Sequence, residues 1–455
     1  MLLGGGARIT KPWRVHSPLF SLSHLLCINP KVSSSLNGEC DDFLPWLEKK
    51  AGAKISSVLS IGKSAYGRSL FASEIIRTGD SILRVPYDVQ IARDNLLPEI
   101  RALLSDEVGI TAKLAIVILV EQIKGQDSEW APYISRLPHF REMHSPIFWS
   151  EDELDMIRLS SAYQETVIQK AKVEKEYMAM MNALKQFPEI FKSVTIEDFK
   201  HAYSLVASRA WESTKGLSLI PFADFLNHDG MSNSIVLSDE DKKLSEVIAD
   251  RNYAPGEEVL ISYGKYPNAT LLLDFGFTFP HNIHDKVEIQ MDIPHHDILR
   301  EMKLKLLQQY HIRNIKDTNG FNLSENSFTI KEVRSARGKG KGLPQSLRAF
   351  ARVLCCTSSQ ELCDLAIEAS QSDGRLARQP LKDRRREIQA HKMLLSHISQ
   401  LIEKHDAAIK SLDPTNCLST CKGLVHRMQM ARDLLGGELR VLQSVAAWLK
   451  NYCAS

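Results

Sequence analysis

Residues 221–230 read PFADFLNHDG, and residues 256–266 read GEEVLISYGKY. The first stretch is an apolar run closed by the pair Asn227-His228. The second is a β-type run that ends in Ser262-Tyr263-Gly264. An amide donates and accepts hydrogen bonds at once, and so does a neutral imidazole. Neither stretch has the spacing of a metal site, a phosphate loop or a dinucleotide fingerprint.

Around these stretches lies a chain of 455 residues. At about 150 residues per domain, two or three domains are expected. Apolar content of 44% and charged content of 25% are ordinary for a globular protein. A net charge of +2 creates no global field toward nucleic acid. No apolar run approaches the ~20 residues needed to span a bilayer. The longest, residues 114–120, reads as part of a buried helix. Neither a nucleic acid nor a membrane is therefore an expected partner, and a monomer is expected. The 8 cysteines include no CxxC pair, so no metal site is expected. Cys417 and Cys421 read as packed thiols on one helix face, which suits a reducing compartment. Residues 1–38 lack Asp and Glu but carry Arg8, Lys11, Arg14 and Lys31 among serines. That composition reads as an organelle transit peptide, with a disordered leader as the plainer alternative.

Residues 41–50 read as a short amphipathic helix with Phe43, Leu44 and Leu47 on one side. Strand character follows over 55–86, punctuated by Gly62, Gly67 and Gly79. From about 90 to 215 the pattern is helical. Ser150 before Glu151-Asp152-Glu153 reads as an N-cap for a long helix running to about Lys185. Another helix is expected over 198–212. Strand signals return at 245–249, 258–262 and 286–291, and from about 296 the chain is helical again. One β core with a helical insertion, followed by an all-helical domain, accounts for this order.

The Asn-His pair and the tyrosine-ended strand together resemble the two signature segments of SET-domain methyltransferases. Residues 63–85, KSAYGRSLFASEIIRTGDSILRV, resemble the opening of such a domain. Trp130-Ala131-Pro132-Tyr133, Ser208-Arg209-Ala210 and the segment Asn268 to Phe277 are similar to the plant Rubisco large-subunit methyltransferase-like subfamily. The resemblance implies an α+β fold. It would have a SET β core over 39–285, split by a helical insertion about 90–200, and an all-α substrate-binding domain over 286–455. It implies S-adenosyl-L-methionine as cofactor, held by the backbone of Tyr66, Gly67, Arg68, Ser69 and Leu70 and by Arg209, Asn227 and His228. A guanidinium such as that of Arg209 holds a carboxylate bidentately. Tyr263 would be the catalytic tyrosine, with Asp224 and Phe275 on the substrate side.

Methyl transfer from a sulfonium is an in-line displacement that needs a neutral amine lone pair. Free lysine has a pKa near ~10.4, so the amine must lose its proton in the site. An apolar channel and the donor's charge both favour that loss. Three positions depart from the subfamily pattern: Ser69 in the Gly-rich turn, Ser213 where a second arginine is usual, and Phe275 where a tyrosine is common. No aromatic residue occurs over 229–252, where a further channel tyrosine is usual. The expected function is methylation of a lysine in a non-histone protein held by the C-terminal domain, with the chloroplast as expected location and mitochondrion or cytosol as alternatives. A histidine methyltransferase and a degenerate interaction module remain alternatives.

Overall fold

The computed structural model describes residues 42–454, apart from 66, 105, 214–215, 311–326, 338, 372–373 and 413–421. Tyr66, the leader 1–38 and the Cys417–Cys421 pair thus lie outside the described residues, as does the side chain of Ser213. Residues Asp42–Ser455 belong to one unit. Its described strands form three two-stranded and two three-stranded sheets.

The first sheet depends on Gly67, whose φ of +106° is rarely adopted by L side chains. It begins Gly67–Ala72, which pairs antiparallel with Leu59–Ser64. Strand Ser81–Pro86 pairs with Leu244–Ile248, which also takes Val236–Asp239. Strands Ile91–Ala92 and Trp211–Ser213 flank Gly216–Leu219. The helical insertion occupies the chain between Ile91–Ala92 and Trp211–Ser213, and includes Ile110–Lys124, Ser161–Ala183 and Ile196–Arg209. Ile110–Lys124 is apolar nearly all round because Leu114 to Val120 are all buried. Together these elements enclose a core that includes Leu70, Val85, Ile116, Phe199, Ile220 and Ile261.

Two helix boundaries differ from expectation. Ser150 does cap a helix, and Glu153 returns the bond to the Ser150 N–H. That helix, however, is only Glu151–Asp155. The chain then turns and restarts at Ser161, with Ser160 accepting from the Ala162 N–H. Ser160 is fixed there by its 2.5 Å bond to buried Glu438 on the last helix. A tertiary contact thus breaks what local pattern alone would have continued. The helix expected over 198–212 ends at Arg209, because Trp211–Ser213 is drawn into a strand against Gly216–Leu219.

The C-terminal region is helical, with Gln345–Leu354, Arg384–Ser411 and Lys422–Ala454 as its main members. It also carries a sheet, so it is not all-helical: Lys286–Gln290 pairs antiparallel with Ser327–Lys331. Ser327–Lys331 alternates Phe328 and Ile330 into a core shared with Val287, Ile289, Leu394, Val441 and Leu449. A third cluster joins Trp149 and Leu154 of the insertion to Leu272 and to Met430 and Leu434 of the last helix. No described helix is long and apolar enough to cross a membrane.

Candidate active site

The run that ends in Tyr263 is where distant segments meet. The Ala72 N–H donates to Glu257 O at 2.9 Å, and the Val259 N–H donates to Leu70 O at 2.9 Å. Leu260–Ile261 also pairs, in parallel, with Asn227–His228. Residues 257–261 therefore lie between the opening hairpin and the Asn-His pair. The approach to that pair is tight. Phe222, buried and not glycine, has φ of +74° as it enters the turn Ala223–Phe225. Such strained residues persist only where their surroundings hold them.

His228 and Tyr263 are in direct contact. Their rings stack with centroids 5.0 Å apart and planes 21° off parallel. The Tyr263 N–H donates to His228 Nδ1 at 3.0 Å. The same Nδ1 lies 3.4 Å from Ile261 O. A backbone N–H can only donate, so Nδ1 accepts and the proton of the neutral ring sits on Nε2. Burial also lowers the His228 pKa, which favours that neutral form. The Tyr263 hydroxyl donates to Leu226 O at 2.7 Å. Burial pushes the phenol up to about 12, with Arg209 opposing and Asp224 adding to the rise.

Arg209, at the end of its helix, donates from Nη1 to Asp224 O at 2.9 Å and sits 3.6 Å from Asp224 Oδ2. Its Nε is buried without a hydrogen-bond partner, and its side chain is 23% exposed. Asp224, expected on the substrate side, is closed off from open space. Its side chain is 0% exposed and accepts from buried Tyr133 at 2.7 Å. Burial raises the carboxyl to about 6, while Arg209, Tyr133 and Arg68 hold it down. Asp224 is thus enclosed by Arg209 and Tyr133, and among the described residues its Oδ1 has no hydrogen-bond partner.

A cavity of about 260 Å³ is lined by Gly67, Arg68, Arg209 and Asn227, with residues 135–139 of the insertion. Four of the residues expected to hold the cofactor thus face one space. The Asn227 amide donates to Glu258 at 3.1 Å, Ser64 at 3.3 Å and Arg68 O at 3.4 Å. Among the described residues its Oδ1 accepts nothing, which leaves an acceptor for a ligand. Ser69 and Leu70 are different. Both are wholly buried, neither lines the cavity, and the Ser69 hydroxyl has no partner. Their side chains belong to the core, so only their backbone is left for the contact with the cofactor that the resemblance implies. Ser69 also avoids the positive φ that would have strained it.

Phe275 stands against Tyr263, with ring centroids 5.1 Å apart, and against Tyr266 at 5.9 Å. Phe277 joins them, 6.2 Å from Phe275. The segment is pinned by fully buried Asn268, which donates to Phe279 O and accepts from the Phe279 N–H. Gly276 makes the turn possible: its φ is +76°, and a Cβ there would lie 2.8 Å from Ser145 N. Gly276→Ala should therefore cost more than about 2 kcal/mol, combining left-handed strain with a backbone clash. Urea unfolding tests this, and an unchanged midpoint would refute it.

One neighbour of Tyr263 went unread in the sequence. Trp211 meets the Tyr263 ring edge-on, with centroids 5.8 Å apart and planes at 85°. Its indole N–H is buried without a partner. The sole signal was its place two positions after Arg209.

An Asn-His pair locked to a tyrosine, beside an arginine-lined cavity, is the arrangement the sequence resemblance implied. The description "SET domain" matches residues 67–264, and "Rubisco LSMT substrate-binding" matches residues 294–442. The chain therefore carries a SET domain followed by a Rubisco LSMT substrate-binding region. Among curated proteins, it is 27% identical over 373 residues to the actin-histidine N-methyltransferase of Rhinolophus ferrumequinum. The human protein of the same description is 27% identical over 350 residues. These matches take in 77% and 72% of this chain, but only 59% and 55% of the relatives' own lengths. The chain thus spans less than two thirds of these relatives. Among solved structures, Rubisco LSMT bound to sinefungin and monomethyllysine aligns with a TM-score of 0.68 at 22% identity, covering 90% of this chain and 91% of that one. The SET domain of LSMT bound to lysine and AdoHcy aligns with a TM-score of 0.67, also at 22% identity, covering 90% of each chain. These likenesses establish the fold.

Proposed function

We propose that this chain methylates a lysine ε-amine of a non-histone protein, with S-adenosylmethionine as donor. The observation that carries the reading is the joint placement of Tyr263 and the cavity. Arg209 lines that cavity, and its charge also acts on the Tyr263 phenol. The residues suit the donor. Arg209 offers a partly exposed guanidinium to a carboxylate, Asn227 offers an acceptor, and Gly67 permits close backbone approach. When bound, S-adenosylmethionine supplies an electrophilic methyl group.

The rest is done by the protein. The Tyr263 hydroxyl donates its one hydrogen bond to Leu226 O, so its lone pairs remain to accept from an incoming amine. With its pKa at about 12 the phenol stays neutral and is not the base. The amine must lose its proton to solvent as it enters the apolar surroundings of Trp211, Phe275 and Phe277. Aromatic faces there also suit an amine that gains charge with methylation. Most of the remaining acceleration is positioning. The region matched over residues 294–442 would hold the protein substrate.

Calorimetry with S-adenosylmethionine tests the core of the reading. Saturable binding is expected, weakened roughly five- to a hundred-and-fifty-fold in Asn227→Ala, the span of about 1–3 kcal/mol for an unmade buried hydrogen bond. No saturable binding by the parent chain would leave a degenerate interaction module instead. A second reading, methylation of a histidine, is favoured by what the curated relatives are described as doing. Mass-spectrometric mapping of labelled peptides separates the two: a methyl group on imidazole nitrogen would displace the lysine reading.

A further inference from the structure

A second cavity, of about 740 Å³, is lined by Lys265 and Pro267, just past Tyr263 in the chain, and by residues 331–335 and 339–342. Six basic side chains line it: Lys265, Lys286, Lys331, Arg334, Lys339 and Lys341. Its two acids are already engaged, because Asp285 and Glu332 lie 3.1 Å and 3.9 Å from Arg440. Among the described residues, Lys265, Lys331, Arg334, Lys339 and Lys341 form no ion pair.

Two of these lysines are held together at a cost. Lys286 and Lys331 are directly opposite in the antiparallel ladder. Like charges in that register destabilise a sheet. Burial pushes the Lys286 amine below its ordinary range and Lys331 pushes it further, against the pull of Glu288. The loop bearing Lys339 and Lys341 is a built wall. The Lys331 N–H donates to Gly342 O at 2.9 Å. Gly342 has φ of +120°, and a Cβ there would lie 2.5 Å from Lys331 O. Gly340 has φ of +67°, and a Cβ there would lie 2.7 Å from the Trp448 ring. Both glycines let the loop lie flat, which fixes two cations at the rim.

We propose that this cleft docks an acidic segment of the protein substrate, a run of Asp and Glu flanking the residue that enters beside Tyr263. The proposal rests on the methyltransferase reading of Tyr263. A peptide suits the cleft better than a nucleic acid does. The whole chain carries only +2, so no global field draws a phosphate backbone toward it.

Fluorescence anisotropy with a short fluorescein-labelled Asp/Glu peptide and the full chain tests this. Saturable binding is expected. It should weaken roughly tenfold or more in Lys339→Glu/Lys341→Glu, and similarly between about 0.05 and about 0.5 M salt. The milder Lys339→Gln/Lys341→Gln variant should fall between, with an unchanged melting temperature. Equal binding of an Asn/Gln peptide, or unchanged binding in both variants, overturns the proposal. So does displacement of the peptide by a lower concentration of a single-stranded oligonucleotide, which would assign the cleft to nucleic acid. Calorimetry with S-adenosylmethionine on the same samples keeps the two readings apart. Lost peptide binding with intact donor binding strikes the docking alone. The converse strikes the methyltransferase reading and leaves the docking result standing.

Discussion

Tyr263→Phe is expected to fold, to bind the methyl donor as the parent does, and to lose roughly a hundred- to a thousand-fold in kcat, the cost of removing one preorganised polar group from a reacting centre. The fold should survive because the ring, not the hydroxyl, makes the packing contacts. It stacks on His228 and meets Trp211 and Phe275. The backbone N–H to His228 is unaffected by the change. What disappears is the oxygen anchored on Leu226 O at 2.7 Å, the atom placed to orient an amine. One group is left unpaired, the Leu226 carbonyl, which adds a modest stability loss of about 1 kcal/mol. Single-turnover rates and calorimetry separate the two effects. Turnover at the parent rate would reject the assigned role.

The second large effect lies far from the site. Arg352→Ala is expected to destabilise the chain by about 3–5 kcal/mol, the usual cost of leaving one partner of a buried pair uncompensated. Arg352 is 0% exposed and holds Glu387 bidentately, Nε to Oε2 at 2.8 Å and Nη2 to Oε1 at 2.6 Å. Tyr452 and the Leu381 N–H also donate to the carboxylate, and His391 Nδ1 lies 3.5 Å from its Oε1. Burial alone would raise the Glu387 pKa, but Arg352 and the other donors bring it from 4.5 down to about 2. A depressed carboxyl stabilises the fold at pH above its unfolded value. That contribution is complete above about pH 5 and fades as pH falls toward about 2. The parent should therefore lose stability over that window, and Arg352→Ala should lose less there because its Glu387 is no longer depressed. Denaturant midpoints against pH check both statements. A loss under about 1 kcal/mol at neutral pH would mean that the pair contributes like an exposed one.

The site was legible in the sequence where chemistry requires a particular residue type at one place. Asn227, His228 and Tyr263 converge as read, and Gly67, Arg68 and Arg209 share a cavity with Asn227. Residue type alone could not tell which way a side chain turns. Ser69 and Leu70 lie in the right turn but point into the core, and Asp224 is enclosed by Tyr133 and Arg209. Trp211 was hidden because an aromatic after a helix reads as packing. The helix break at Ser160 depends on Glu438, which is far away in the chain, so no local window contains it. The strand Ser327–Lys331 is short and set among helical patterns, and its partner Lys286–Gln290 was the only half recognised.

Residues 257–261 are flanked on one side by residues 70–72 and on the other by Asn227–His228. Such long-range pairing must bear its loop-closure entropy before it gains contacts, which places it late in folding. A chain still emerging from the ribosome, with its first hairpin free but residues 257–263 not yet released, lacks both the strand that joins these distant segments and the Tyr263 phenol.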